Sequence, residues 1–243
     1  MPKSTSYLIG AGVAAAAALL GAVSYTATKP AERSPAVVAE APAAASAGAS
    51  AEPQAGVHPE LQKYARRDAK DPLAVGRADA PVVLIEYADF KCGYCGKFAR
   101  ETEPELIEKY VGEGTLRIEW RNFPIFGEES ERAARAAWAA GQQGRFWQFH
   151  KAAYADGAKE RGFGEEQVTA LAREAGVADL ARFGRDLDSD AARRAVAADQ
   201  EQAYALGATS TPSFLVNGRP IAGAQPIETF TAAIEAAGRE ARR

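Results

Sequence analysis

Residues 81–99 read PVVLIEYADFKCGYCGKFA. An apolar, largely β-branched run leads into both cysteines of the chain, Cys92 and Cys95, separated by Gly93 and Tyr94. An unbroken run of this kind is the pattern of a strand covered on both faces, as in a parallel or mixed sheet. Behind the cysteines, GKFARETEPELIEKYVGEG places Phe98, Leu106, Ile107, Tyr110 and Val111 at roughly helical spacing, with Pro104 as a kink and Gly112 or Gly114 as the stop. The cysteine pair therefore sits where a strand passes into a helix.

Outward from this stretch, TLRIEWRNFPIF alternates Leu116, Ile118 and Trp120 with Arg117, Glu119 and Arg121, the period of a second strand paired beside the first. From 128 to 207 strand character disappears and three to five helices are expected. TPSFLVNGRPIAG then reads as two short strands joined at Asn217 and Gly218, residues that tolerate the positive φ of a tight hairpin. A last helix runs from about Pro226 to Gly238. Upstream, HPELQKYARRDAKDP predicts a short amphipathic helix ended by Asp71 and Pro72. The order is strand, cysteines, helix, strand, helical block, hairpin, helix: an α/β, thioredoxin-like fold with an inserted helical domain.

The 243 residues, 47% hydrophobic and 25% charged, suffice for one full core. A formal net charge of -3 and the lack of a basic block give no attraction for nucleic acid. Residues 1–28 begin with Lys3 and then carry no charge until Lys29. Tyr7 to Ala27 approaches the roughly 20 apolar residues of a spanning helix, so the segment reads as a signal-anchor. A signal peptide cleaved after Ala22 or Ala27 is the alternative. Residues 29–56, rich in Ala, Pro, Ser and Gly, read as a disordered linker whose ends lie roughly 30 Å apart, which leaves 57–243 as the folded domain.

Two thiols at this spacing admit four readings. They make half of a zinc site, but only His58 and His150 remain as nitrogen donors, one at the linker edge and one in an aromatic helix. A structural disulfide would close a loop too small to restrict the unfolded chain much. Inert buried thiols sit poorly in an exported chain. The fourth is a dithiol that cycles, with no cofactor beyond the redox-active pair. It needs a thiolate near neutral pH, and a helix start supplies one through free N–H groups and the macrodipole. Cys92 is then the nucleophile, Cys95 the resolving thiol, and Gly93 and Tyr94 tune both.

DPLAVGRADAPVVLIEYADFKCGYCGKF, GRFWQFHKAAY and GATSTPSFLVNG together resemble the DsbA-like disulfide oxidoreductases of bacterial cell envelopes, over about 71–238. The resemblance implies that Pro212, preceded by Thr211, is cis and lies against the cysteine pair, helping to hold an extended substrate peptide. It implies that Glu86 is a buried acid serving proton transfer to Cys95; an edge-strand carboxylate facing water is the other reading. Phe146, Trp147 and His150 match a family motif too, but a packed helix with a hydrogen-bonded histidine explains them without catalysis. Gly93-Tyr94 and Thr211 look more like the isomerases than the dedicated oxidase, whose intervening pair is Pro and His. The N-terminus reads as anchor and linker rather than a dimerisation domain. The expectation is therefore a monomeric, extracytoplasmic oxidase acting on reduced or unfolded exported proteins and served by a membrane redox partner. A reductase or isomerase is the alternative, and a peptide-binding chaperone the reading from another class.

Overall fold

The computed structural model describes residues 56–243; the expected anchor at 1–28 and nearly all of the linker lie outside the described residues. The strands are β1 (Ala74–Val75), β2 (Val82–Ala88), β3 (Leu116–Asn122), β4 (Ser213–Val216) and β5 (Arg219–Ala222), arranged β1-β3-β2-β4-β5. β2 and β3 are parallel, in the register Leu84–Ile118 and Glu86–Trp120, and the remaining pairings are antiparallel. This is the thioredoxin-like α/β fold.

All seven residues of β2 are buried, as an unbroken apolar run requires. Because side chains alternate across a sheet, Val82, Leu84 and Glu86 share one face while Val83, Ile85 and Tyr87 share the other. The first face is covered by a helical run over 93–111 and by the C-terminal helix: Phe98, Leu106, Phe230 and Ile234 pack with Val82, Leu84 and Phe214. Within that run α1 (Gly93–Lys97) and α2 (Glu103–Leu106) alternate with single π-helical turns at Phe98–Thr102 and Ile107–Val111, so Pro104 opens α2 and does not break an ideal helix.

β3 pairs beside β2 as the alternation predicts, and its charged face is buried as well. Arg117, Glu119 and Arg121 are all buried. The Glu119 carboxylate accepts from Arg117 Nε at 2.9 Å, Arg121 Nη2 at 2.8 Å, and the backbone N–H groups of Arg66 and Arg67 at 2.9 and 2.8 Å. Burial alone would raise its pKa, but these donors hold it at about 2. The amphipathic helix expected over 58–72 is only a 3₁₀ turn at Pro59–Tyr64, because the backbone beyond it straightens to donate to Glu119.

The inserted block comprises α3 (Glu128–Gly141), α4 (Phe146–Ala153), α5 (Glu165–Glu174), α6 (Leu180–Leu187) and α7 (Asp190–Ala205), within the expected number. Alanines of α3 let neighbouring helices approach closely and share a core with Phe90, Trp120 and both cysteines. The hairpin turns at Asn217 and Gly218, with φ of 44° and 83°. A side chain at Gly218 would stand 2.4 Å from the His58 carbonyl, so only glycine lets the N-terminal segment close on the turn. The last helix, α8, spans Ile227–Glu240.

Candidate active site

β2 delivers the chain to Asp89, whose carboxylate accepts from the N–H groups of Lys91, Ile125 and Phe126 and from the Ser130 hydroxyl. The Asp89 carbonyl accepts from Cys92 N and from the Tyr154 hydroxyl. The turn into α1 is thereby fixed from three sides. Cys92 caps α1: its φ of -75° and ψ of 120° are not yet helical, and Cys95 N–H points at its sulfur from 3.4 Å. Cys92 is 6% exposed and Cys95 is fully buried, both as free thiols. Tyr94, at 69%, projects into solvent, and the Lys159 ammonium lies beside Gly93.

The Thr211–Pro212 peptide is cis, as expected, and opens β4 opposite the cysteines. The Cys92 thiol donates to the Thr211 carbonyl at 3.2 Å. That contact favours the thiol. The Thr211 hydroxyl, buried with no other partner among the described residues, can donate to the thiolate instead.

The two thiols are driven apart in acidity. A hydrogen bond from the Cys95 side chain is the largest influence on Cys92; against desolvation, and with help from the Thr211 side chain and the N–H groups of Cys95 and Tyr94, it brings Cys92 down to about 6. Burial, then the neighbouring Cys92 sulfur, pushes Cys95 well above its usual range. At pH 7 such a pair is one thiolate that can attack a disulfide and one thiol held in reserve.

Glu86 lies on a central strand and is wholly buried, so the reading of a water-facing edge carboxylate is excluded. Neither of its oxygens has a hydrogen-bond partner among the described residues. Burial first, then the charges of Glu103 and Cys92, drive its pKa well up. His150 packs against the rings of Trp120 and Tyr154, with centroids 5.0 and 4.9 Å away. The expected hydrogen bond to it is missing among the described residues: Nδ1 stands 3.6 Å from Glu103 Oε2 and Nε2 has no partner. Burial lowers its pKa to about 3, so it is neutral. Sequence reasoning passed over Glu103 and Asp89. Glu103 left a signal, because it stands three residues before Leu106 and seven before Tyr110, on the apolar stripe.

A side chain at Gly96 would meet the Arg100 guanidinium at 2.8 Å, so the bare backbone lets Arg100 lie flat and donate to the Tyr154 carbonyl. Phe90, Cys92, Gly93, Arg100 and Lys159 line a shallow cavity of about 120 Å³ there. On the other flank, Tyr87, Leu206, Phe214, Pro220 and Ile221 line a larger apolar groove of about 290 Å³. Among the described residues no cluster of side chains has the makings of a metal site.

The thioredoxin family model matches residues 68–236. The Na(+)/H(+) antiporter NhaA 3 of Salinispora tropica is 34% identical over 180 residues, which are 69% of this chain and 25% of that protein. The chain thus spans about a quarter of the length of the antiporter relatives it matches. The probable disulfide bond formation protein D of Bacillus cereus is 31% identical over 150 residues, 60% of this chain and 69% of that one. A solved structure of a thioredoxin-like oxidoreductase from Silicibacter pomeroyi matches with a TM-score of 0.61 at 30% identity, covering 70% of this chain and 97% of that chain.

Proposed function

This chain belongs to the thioredoxin family, among the DsbA-like thiol:disulfide oxidoreductases, and we propose that it introduces disulfides into exported proteins through a mixed disulfide on Cys92. The observation that carries the reading is the placement of the pair: Cys92 starts α1 with the Cys95 N–H aimed at its sulfur from 3.4 Å, while Cys95 is fully buried behind it. This draws Cys92 down to about 6 and pushes Cys95 well above its usual range. A substrate thiolate attacks Cys92 of the oxidised pair; the Cys92–Cys95 bond breaks and Cys95 leaves with the electron pair, taking up a proton. A second substrate thiolate then attacks its partner sulfur, and Cys92 departs as the favoured thiolate.

Stabilising that thiolate stabilises only the reduced enzyme, so it makes the disulfide an oxidant. This supports oxidation over reduction or isomerisation. Thr211 and cis Pro212 present the backbone edge for an extended substrate peptide, with Gly93 and Tyr94 on the open side. Glu86, on the sheet face beneath α1, is the proton carrier for Cys95. No cofactor beyond the cysteine pair enters. The domain works as a monomer outside the cytoplasm, where dithiols are oxidised and stay so. Residues 1–28 tether it to the membrane through the linker, and a membrane protein reoxidises the pair.

The test is the redox equilibrium of the full chain in glutathione buffers, read by thiol alkylation. A thiolate near 6 lies between those of thioredoxin, about 7, and DsbA, about 3.5, so the potential should fall between about -270 and -120 mV. A value at or below the thioredoxin figure would make the protein a reductant. Cys92→Ser should abolish oxidation of a reduced protein substrate; oxidation at the wild-type rate would rule out the mechanism.

A further inference from the structure

The exchange described above uses the Thr211–Pro212 side of Cys92 and leaves idle the cavity of about 120 Å³ that Cys92 also lines. Lys91 and Lys97 flank the cysteine motif in sequence, and Arg100 and Lys159 line that cavity. Three of these four cations have acidic partners: Lys91 with Glu129, Lys97 with Glu101 and Arg100 with Asp156. Lys159 has none among the described residues, and its Nζ stands 3.5 Å from the position that a Cβ on Gly93 would take. Arg100 is fixed by Nη1 on the Tyr154 carbonyl at 2.8 Å and by Nε on Asp156 at 3.1 Å. Its Nη2 has no acceptor among the described residues, so one arm of the guanidinium fork stays open.

We propose that Lys159, seconded by Arg100, forms a carboxylate subsite beside Cys92, so that the protein prefers thiol substrates carrying an acidic group close to the reacting sulfur. The inference rests on the exchange at Cys92 proposed above and names its substrate class. An extended substrate that lies along Thr211 and Pro212 on one side of the sulfur runs on across the cavity on the other. A carboxylate carried there meets the Lys159 ammonium without displacing an existing partner, and Arg100 adds an N–H donor from the same cavity. This chemistry has two sources: an Asp or Glu side chain beside a substrate cysteine, or the carboxylates of glutathione.

The fold gives Lys159 no other task. It is exposed and joins no ion pair among the described residues, and the acidity of Cys92 is set by Cys95, Thr211 and the N–H groups of Cys95 and Tyr94. Two acids share the rim of the cavity, and neither fills the site. Asp156 is held on the Nε edge of Arg100, while Glu160, next in the chain to Lys159, is exposed and makes no ion pair with it. Both acids repel an incoming carboxylate, which keeps the preference modest. An ion pair open to water changes binding by about two- to fivefold and fades as salt is added.

The experiment presents the reduced full-length protein with peptides whose single cysteine carries a thionitrobenzoate group. The Cys92 thiolate attacks the peptide sulfur, the bond to thionitrobenzoate breaks, and the thiolate that leaves with the electron pair is read by its absorbance. Peptides with Glu at the positions flanking the cysteine are compared with the same peptides carrying Gln, in wild type, Lys159→Met and Lys159→Glu. Glutathione and its diester, activated in the same way, form a second arm. Both members of a pair meet the same thiolate, so any change in Cys92 acidity or in folding cancels from their rate ratio. The acid-to-neutral ratio should be about two to five in wild type, shrink in high salt, fall to about one in Lys159→Met and drop below one in Lys159→Glu. A preference seen with the peptides assigns the carboxylate to protein substrates, and one confined to glutathione assigns it there. A ratio of one in wild type in both arms, or one that Lys159→Met leaves unchanged, overturns the subsite. If Cys92→Ser releases thionitrobenzoate as fast as wild type, the exchange at Cys92 falls and the subsite with it. A reducing potential in glutathione buffer would instead retire only the proposed direction, because the rate ratio decides the subsite whichever way electrons flow.

Discussion

Replacing Cys95 by alanine should raise the Cys92 pKa by an amount that can be worked out. Cys95 remains a thiol far above neutral pH because burial disfavours its charge, so its S–H is available to donate to the Cys92 thiolate, and that bond is the largest influence on Cys92. A hydrogen bond to a charged group is worth about 1.5–3 kcal/mol, which corresponds to roughly one to two pH units. The N–H groups of Cys95 and Tyr94 and the Thr211 side chain stay in place in the variant. The Cys92 midpoint should therefore rise from about 6 to between about 7 and 8. At pH 6.5 the thiolate fraction would drop from about three quarters to about one tenth for a midpoint of 7.5. Thiolate absorbance near 240 nm against pH, with the iodoacetamide rate as a second readout, measures it directly. Cys95→Ser keeps a donor at the same place and should retain much of the depression. A midpoint that stays at about 6 in Cys95→Ala, or coincides in the alanine and serine variants, would refute the assignment of the S–H donor and leave the helix start as the cause.

Thr211→Val removes the one hydroxyl free to turn toward the thiolate while leaving the carbonyl that accepts from the thiol, so the Cys92 midpoint should rise by a smaller amount, about one unit, in the same titration. Its disulfide should become less oxidising in glutathione buffer, and a potential unchanged from wild type would count against the hydroxyl. Ionisation of Cys92 also makes stability pH-dependent. Its folded value of about 6 lies below an unfolded value near 8.5, so the reduced protein's added stability is full above about 8.5 and is lost as pH falls toward 6. Urea unfolding of reduced against oxidised protein should show the gap opening across that window. Glu119, held at about 2 against a usual 4.5, contributes stability that is present above 4.5 and disappears as pH falls to 2, about 3 kcal/mol in all. Glu119→Gln should lose that acid limb and, by leaving Arg117 and Arg121 buried without a counter-charge, destabilise the fold at pH 7 by about 3–5 kcal/mol in urea unfolding.

The amino-acid order alone determined the buried strand, the cysteines at its end, the helix start behind them and the Asn217–Gly218 turn, because each is local: burial on both faces writes an unbroken apolar run, and positive φ selects Asn and Gly. Proximity of Pro212 to the cysteines was implied by resemblance only, since 119 residues separate Cys92 from Thr211 and nothing in between marks the meeting. Alternation identifies β3 as a strand, but the burial of its charged face is not legible in it, because hydropathy cannot distinguish charges facing water from charges that neutralise one another. Arg117 and Arg121 cover Glu119 only once the 58–67 segment has folded across them. Glu86 was visible as an acid in an apolar run, whereas its burial, and the Glu103 carboxyl beneath the same helix, emerge only when β2, the 93–111 run and α4 come together. The acidity of a group depends on the water, charge and donors within a few ångströms, and tertiary packing alone decides which residues supply them.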